Sequence, residues 1–98
     1  GNHIKNMRKT TERACEALKA GKNFNSKNTQ VINCTMYLFE NAIARKTKNG
    51  IEICDGGGYV TATTRERLSG FLGYGKLSTK GGKWKLNGKE WNGEWLAV

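Results

Sequence analysis

The run Lys83-Trp84-Lys85-Leu86-Asn87-Gly88-Lys89-Glu90-Trp91 constrains this chain most. Asn-Gly between alternating residues is the strongest short-range hairpin signal, because both turn positions take φ > 0. A two-residue turn there sets Leu86 opposite Lys89, Lys85 opposite Glu90 and Trp84 opposite Trp91. The two indoles share one face and the Lys85–Glu90 pair the other. A turn at Gly81-Gly82 pairs Leu77 with Leu86 and Thr79 with Trp84. Two independent turns therefore place Leu77, Trp84, Leu86 and Trp91 on one side of a meander that starts with a strand at Lys76–Lys80.

The rest of the chain supplies helices and a second meander. Met7, Thr11, Ala14, Cys15 and Leu18 recur at helical spacing and predict an amphipathic helix over 7–20, ended by Gly21. Residues 1–6 read as disordered or left by a tag, because the chain opens with Gly, and residues 7–98 read as one domain. From Gln30 the period falls to two, so Ile32, Cys34, Met36 and Leu38 define the apolar face of one strand over 30–39. A turn at Glu40-Asn41 sets Leu38 opposite Ile43. A three-residue loop at Lys48-Asn49-Gly50 sets Arg45 opposite Ile53, giving strands at 42–47 and 51–55. After Gly56-Gly57-Gly58, a short strand is expected at Tyr59–Ala62. Thr63-Thr64-Arg65-Glu66 then reads as a capping box opening a short helix over 64–70. The predicted fold is α+β: antiparallel sheet from two three-stranded meanders, with an N-terminal helix and a short helix between the meanders. The two are expected to form one continuous or strongly curved sheet. Its apolar face lies under the helices with all three tryptophans in the core.

Chemistry is harder to find. Gly70-Phe71-Leu72-Gly73-Tyr74-Gly75-Lys76-Leu77 lacks only the final hydroxyl of a phosphate-binding loop. It follows a helix and precedes a strand, the reverse of what that loop requires, and reads as a tight connection. The three cysteines, Cys15, Cys34 and Cys54, form no CxxC pair, which fits free thiols in a reducing compartment. A zinc site would need all three together with His3, so no metal is expected. No cofactor is implied. The carboxylates are scattered and His3 is the one histidine, so the chain is read as non-enzymatic.

Charge is the remaining signal. The chain carries 17 Lys and Arg against 8 Asp and Glu, a formal charge of +9. Such a balance favours polyanions, though a solubilising surface is the competing reading. The residues proposed to contact nucleic acid are Arg65, Arg67, Lys76, Lys80, Lys83 and Lys85. Trp84 and Trp91 share the core face, so base stacking would fall to Tyr37, Phe39, Tyr59 or Tyr74. DNA or RNA is the first expected partner. An acidic surface of a host enzyme or defence complex, blocked by the chain as an inhibitor, is the alternative. No membrane is expected, and a homodimer through an unpaired strand edge is open to the chain.

Several segments together resemble an uncharacterised family of small bacteriophage-encoded proteins. They are Met7-Arg8-Lys9-Thr10-Thr11-Glu12, the Asn28-Thr29 step into a strand, and Leu38 with Asn41-Ala42-Ile43-Ala44. Thr63-Thr64-Arg65-Glu66-Arg67-Leu68 and Trp84 through Gly93 (Trp-Lys-Leu-Asn-Gly-Lys-Glu-Trp-Asn-Gly) are the more specific blocks. Members carry a Gly-Trp step before the Thr-Thr helix where this chain has Gly58-Tyr59. The resemblance implies a phage origin and a site of action in the host cytoplasm. It supplies no activity and no catalytic residues.

Overall fold

The computed structural model describes residues 2–98, with side chains from Met7 onward. The expectation for residues 1–6 falls on Gly1 and on side chains outside the described residues. Helix α1 spans Asn2–Ala20, so its backbone begins upstream of the predicted start at Met7. Its inward stripe is the predicted one, with Thr11, Ala14, Cys15 and Leu18 buried. The helix stops at Gly21, whose φ of 71° few other residues adopt. Gly21 N donates to Leu18 O and Lys22 N to Ala17 O, the two bonds of a Schellman cap.

An antiparallel six-stranded sheet lies against α1. It comprises β1 (Phe24–Asn25), β2 (Thr29–Ile32), β3 (Thr35–Leu38), β4 (Asn41–Thr47), β5 (Gly50–Ile53) and β9 (Leu96–Ala97), in the order β1-β2-β3-β4-β5-β9. The predicted strand over 30–39 is in fact a hairpin. Asn33 and Cys34 form a two-residue turn with φ of 50° and 63°, and Val31 faces Met36. The reversal changes the parity of its first half, so Thr29 and Val31 are buried and Ile32 is exposed.

Two further registers differ from the expected ones. The turn after β3 is Phe39-Glu40, and Leu38 pairs with Asn41 rather than Ile43. The turn after β4 is the two-residue Lys48-Asn49. Arg45 accordingly faces Glu52, and Ala44 faces Ile53. A bulge reconciles them: Met36 pairs with Ala44 and Tyr37 with Ala42, leaving Ile43 as the extra residue. The bulge lets Ile43 and Ala44, adjacent in sequence, both enter the core, which strict alternation forbids.

Helix α2 spans Ala62–Leu72. Its N-cap is Thr61, whose hydroxyl accepts from Thr64 N at 3.2 Å, two residues before the predicted cap at Thr63. The helix also runs past Gly70 to a C-cap at Gly73. Gly70 instead marks the crossing with α1, since a Cβ there would lie 2.5 Å from Thr11 Cγ2 and 2.6 Å from Cys15 Sγ. Tyr59–Ala62 forms no strand.

A second antiparallel sheet, β6 (Leu77–Lys80), β7 (Lys83–Leu86) and β8 (Lys89–Trp91), has the registers read from its two turns: Leu77 faces Leu86, Thr79 faces Trp84, and Trp84 faces Trp91. It is a separate sheet rather than a continuation of the first. Trp84 is 1% exposed and joins Leu68, Leu77 and Ile53 in one core cluster. Trp91 packs against it in a tilted arrangement, with ring centroids 6.0 Å apart and an interplanar angle of 41°. Trp95 is not in the core; it is 38% exposed, with the Arg45 guanidinium 3.9 Å above its ring.

Candidate functional site

Alternation along β6 and β7 sends Leu77, Thr79, Trp84 and Leu86 toward the core side. Ser78, Lys80, Lys83 and Lys85 take the other side. Lys80 and Lys83 are direct cross-strand partners beside the Gly81-Gly82 turn. Lys76, Lys80 and Lys83 are exposed and Lys85 is half-buried. Glu90 faces Lys85 across the ladder, but its carboxylate lies 3.5 Å from Lys83 Nζ. Both side chains of that ion pair are largely solvated, so it neutralises little. Three of the six sequence-proposed residues, Lys80, Lys83 and Lys85, thus share one face of one small sheet, and the face carries one acid; Lys76 lies just before β6, its side chain running back beside Gly73 at the end of α2.

The two arginines fall elsewhere. Arg65 is exposed on α2. Arg67, two residues on, points to the opposite side of the helix and is 2% exposed. Its Nε donates to Thr29 Oγ1 at 2.9 Å. Nη1 donates to Thr11 Oγ1 at 2.7 Å and Met7 O at 3.0 Å, and Nη2 to Asn28 Oδ1 at 3.2 Å. Burial pulls this guanidinium below its ordinary pKa, against the opposing pull of Glu66. Arg67 therefore ties α1, α2 and the start of β2 together and is withdrawn from the surface that the sequence reading gave it.

The lysine face adjoins a cleft of about 660 Å³ whose lining includes Lys83, Trp84, Glu90, Trp91 and Asp55. Asp55 organises this region. Its carboxylate is buried, with Oδ1 accepting from Gly58 N at 2.8 Å and Gly57 N at 3.1 Å, and Oδ2 accepting from Trp84 Nε1 at 3.1 Å. Its backbone N donates to Gly93 O at 2.9 Å. One acid thereby joins the end of β5, the triple-glycine loop, the second sheet and the C-terminal segment. Gly93 must be glycine, since its φ is 80° and a Cβ there would overlap Asp55 Oδ2. The sequence reading gave Asp55 no role, and only the nearby glycines hinted at a close approach.

Across the same loop lies a second, more enclosed cleft of about 440 Å³. Phe39 and Tyr59 line it, with Leu38, Ile43, Asn41, Thr61, Thr63 and Thr64. Of the other aromatic candidates, Tyr74 is already engaged. Arg8 stacks on its ring at 4.0 Å and its hydroxyl donates to Glu66 Oε2 at 2.8 Å. Burial, and after it the bond to Glu66, push the Tyr74 hydroxyl up to about 12, against the opposing pull of Arg8. Tyr37 is half-buried in β3.

Among the described residues, no group of three or more His, Cys, Asp or Glu side chains could hold a metal ion. His3 lies outside the described side chains. Cys15, Cys34 and Cys54 are free thiols, and burial pushes the Cys15 thiol up to about 12 and raises that of Cys54. Among the described residues, no helix is long and apolar enough to cross a membrane.

These features define a small, basic α+β protein with a short, lysine-bearing second sheet, and its family match makes it a bacteriophage-encoded one. Residues 7–97 match the model of the Kyanoviridae Gp96 protein family, and the chain belongs to that family. No curated protein and no solved structure matches it significantly.

Proposed function

We propose that this phage accessory protein is a non-enzymatic nucleic-acid-binding protein of the infected cell's cytoplasm. Its phosphate-contacting surface is the outer face of β6–β8. The carrying observation is that Lys80, Lys83 and Lys85 share the outer face of β6–β8, which holds a single weakly paired acid, Glu90, with Lys76 just before β6. Strand spacing holds them in a fixed array that tracks a phosphate backbone without reading sequence. Arg65 adds charge from α2 and Arg67 takes no part, being spent on internal acceptors.

The test is fluorescence anisotropy with labelled DNA and RNA across a salt titration. The affinity falls steeply with salt. Replacing Lys80, Lys83 and Lys85 together by Gln flattens the log K against log salt slope by about 2 to 3, because each phosphate contact contributes roughly 0.7 to 0.9. Undetectable binding at low ionic strength refutes the reading. A stoichiometric acidic protein captured from nuclease-treated host lysate would instead support the inhibitor reading.

A further inference from the structure

Phe39 and Tyr59 are the two most exposed large aromatic side chains, at 64% and 52%, and both line the 440 Å³ cleft. Neither position serves the fold cheaply. Phe39 sits in the Phe39-Glu40 turn with φ of 47°, a conformation in which a bulky residue is a genuine outlier and glycine or asparagine the unstrained choice. Tyr59 follows three glycines of positive φ. A Cβ on Gly56 would lie 3.2 Å from both Asn41 Cβ and Ile43 Cγ2 and 3.6 Å from the Tyr59 ring. The glycine is thus what lets the loop lie flat and bring Tyr59 beside the start of β4.

The cleft also has polar edges. Asn41 Nδ2 donates to Phe39 O at 3.0 Å, while Asn41 Oδ1 and the Thr63 hydroxyl take part in no hydrogen bond among the described residues. Apolar floor, aromatic walls and a few unspent polar groups are the make-up of a site for a planar polar ring, and the volume falls within the range of roughly 300–1,000 Å³ typical of such sites. The location narrows the ligand. This cleft and the one holding Lys83 share Asp55 and meet at Gly58-Tyr59-Val60, so the lysine face and the aromatic cleft flank one loop.

We propose that the Phe39–Tyr59 cleft holds an unpaired nucleobase, and that the ligand of the lysine face is therefore a single strand rather than a duplex. The inference rests on the nucleic-acid reading above and deepens it. A base in a duplex is stacked on both faces and unavailable to a cleft of this kind, whereas a single strand can lay its phosphates on the lysines and turn one base across the glycine loop.

Anisotropy with a labelled oligothymidylate and a duplex of equal length tests this. The single strand binds more tightly. Tyr59→Ala weakens it about 5- to 150-fold, as removal of a base-stacking ring does, and leaves both duplex affinity and the salt slope unchanged. Tyr59→Phe restores single-strand binding. Phe39→Gly separates function from folding: it relieves the turn, so thermal stability holds or rises while single-strand affinity falls. Photo-crosslinking with a 5-iodouracil oligonucleotide places the adduct on Tyr59 or Phe39. Equal affinity for duplex and single strand, unchanged binding in both cleft variants, or adducts confined to other segments overturns the base cleft, and the lysine reading survives if the triple Gln variant still loses binding. If the parent binds neither nucleic acid at low salt, both readings fall together.

Discussion

Replacing Asp55 by Asn, ordinarily a mild change, is expected to be among the most damaging polar substitutions in this protein. The carboxylate accepts three hydrogen bonds, all from N–H groups: two from the glycine loop and one from Trp84. An amide offers one oxygen and one NH2. The oxygen goes to the side with two donors, so the NH2 faces the indole N–H, donor against donor. The variant loses one charge-assisted bond worth roughly 1.5–3 kcal/mol, leaves buried donors unpaired at about 1–3 kcal/mol, and weakens the two surviving bonds. Cheaper burial of a neutral amide offsets part of this, leaving a net loss of about 3 kcal/mol. Trp84→Phe removes the opposing N–H and costs about 2–4 kcal/mol alone, from the orphaned carboxylate oxygen and the lost ring volume. In the double variant the amide no longer meets a donor, so the combined cost falls short of the sum by about 1 kcal/mol or more. Urea denaturation followed by circular dichroism measures all four corners of the cycle. A D55N cost below about 0.5 kcal/mol, or strict additivity, refutes the claim that this acid joins the two sheets.

Gly70→Ala drives a methyl into Thr11 Cγ2 and Cys15 Sγ and is expected to cost about 1–3 kcal/mol in chemical denaturation, part of it recovered by adding Cys15→Ala. Arg67→Met is expected to cost about 1–3 kcal/mol, because Thr11 Oγ1 still donates to Met7 O and Thr29 Oγ1 to Asn28 Oδ1. Arg67→Lys should cost at least as much by the same measurement, since a strongly hydrated ammonium with fewer donors replaces the planar guanidinium. The Cys15 thiol has its pKa raised from 9.0 to about 12, so the stability it contributes is complete below pH 9 and fades as pH climbs toward about 12. A denaturation series from pH 8 to 11 should fall less steeply in Cys15→Ala than in the parent. In the folded protein, half-buried Cys34 should react with a thiol reagent before Cys15 and Cys54, as peptide mapping of the label would show.

The second sheet was legible because its turns carry their own chemistry. Gly81-Gly82 and Asn87-Gly88 are residues that take φ > 0 without strain, so turn position and register followed from the sequence alone. The first sheet was legible only in part, because Cys34, Phe39 and Glu40 adopt the same φ without being residues that announce it. The bulge at Ile43 was equally silent. It exists because burying two adjacent residues against α1 and β5 outweighs a regular ladder. Of the site, the lysine alternation could be read, but the withdrawal of Arg67 could not. Its two-residue spacing from Arg65 says that the two diverge around α2, and only the packing of α1 says which is covered.

Local rules thus determined the class of fold, the N-terminal helix, the lysine-bearing meander and the inward aim of Trp84, because turn conformation and side-chain period act over a few residues. Tertiary structure alone decided that β9 closes the first sheet, that Asp55 joins the two sheets, and that Phe39 and Tyr59 meet in one cleft. Each of these depends on groups far apart in the chain, whose pairing is favourable only once the core has expelled water from between them.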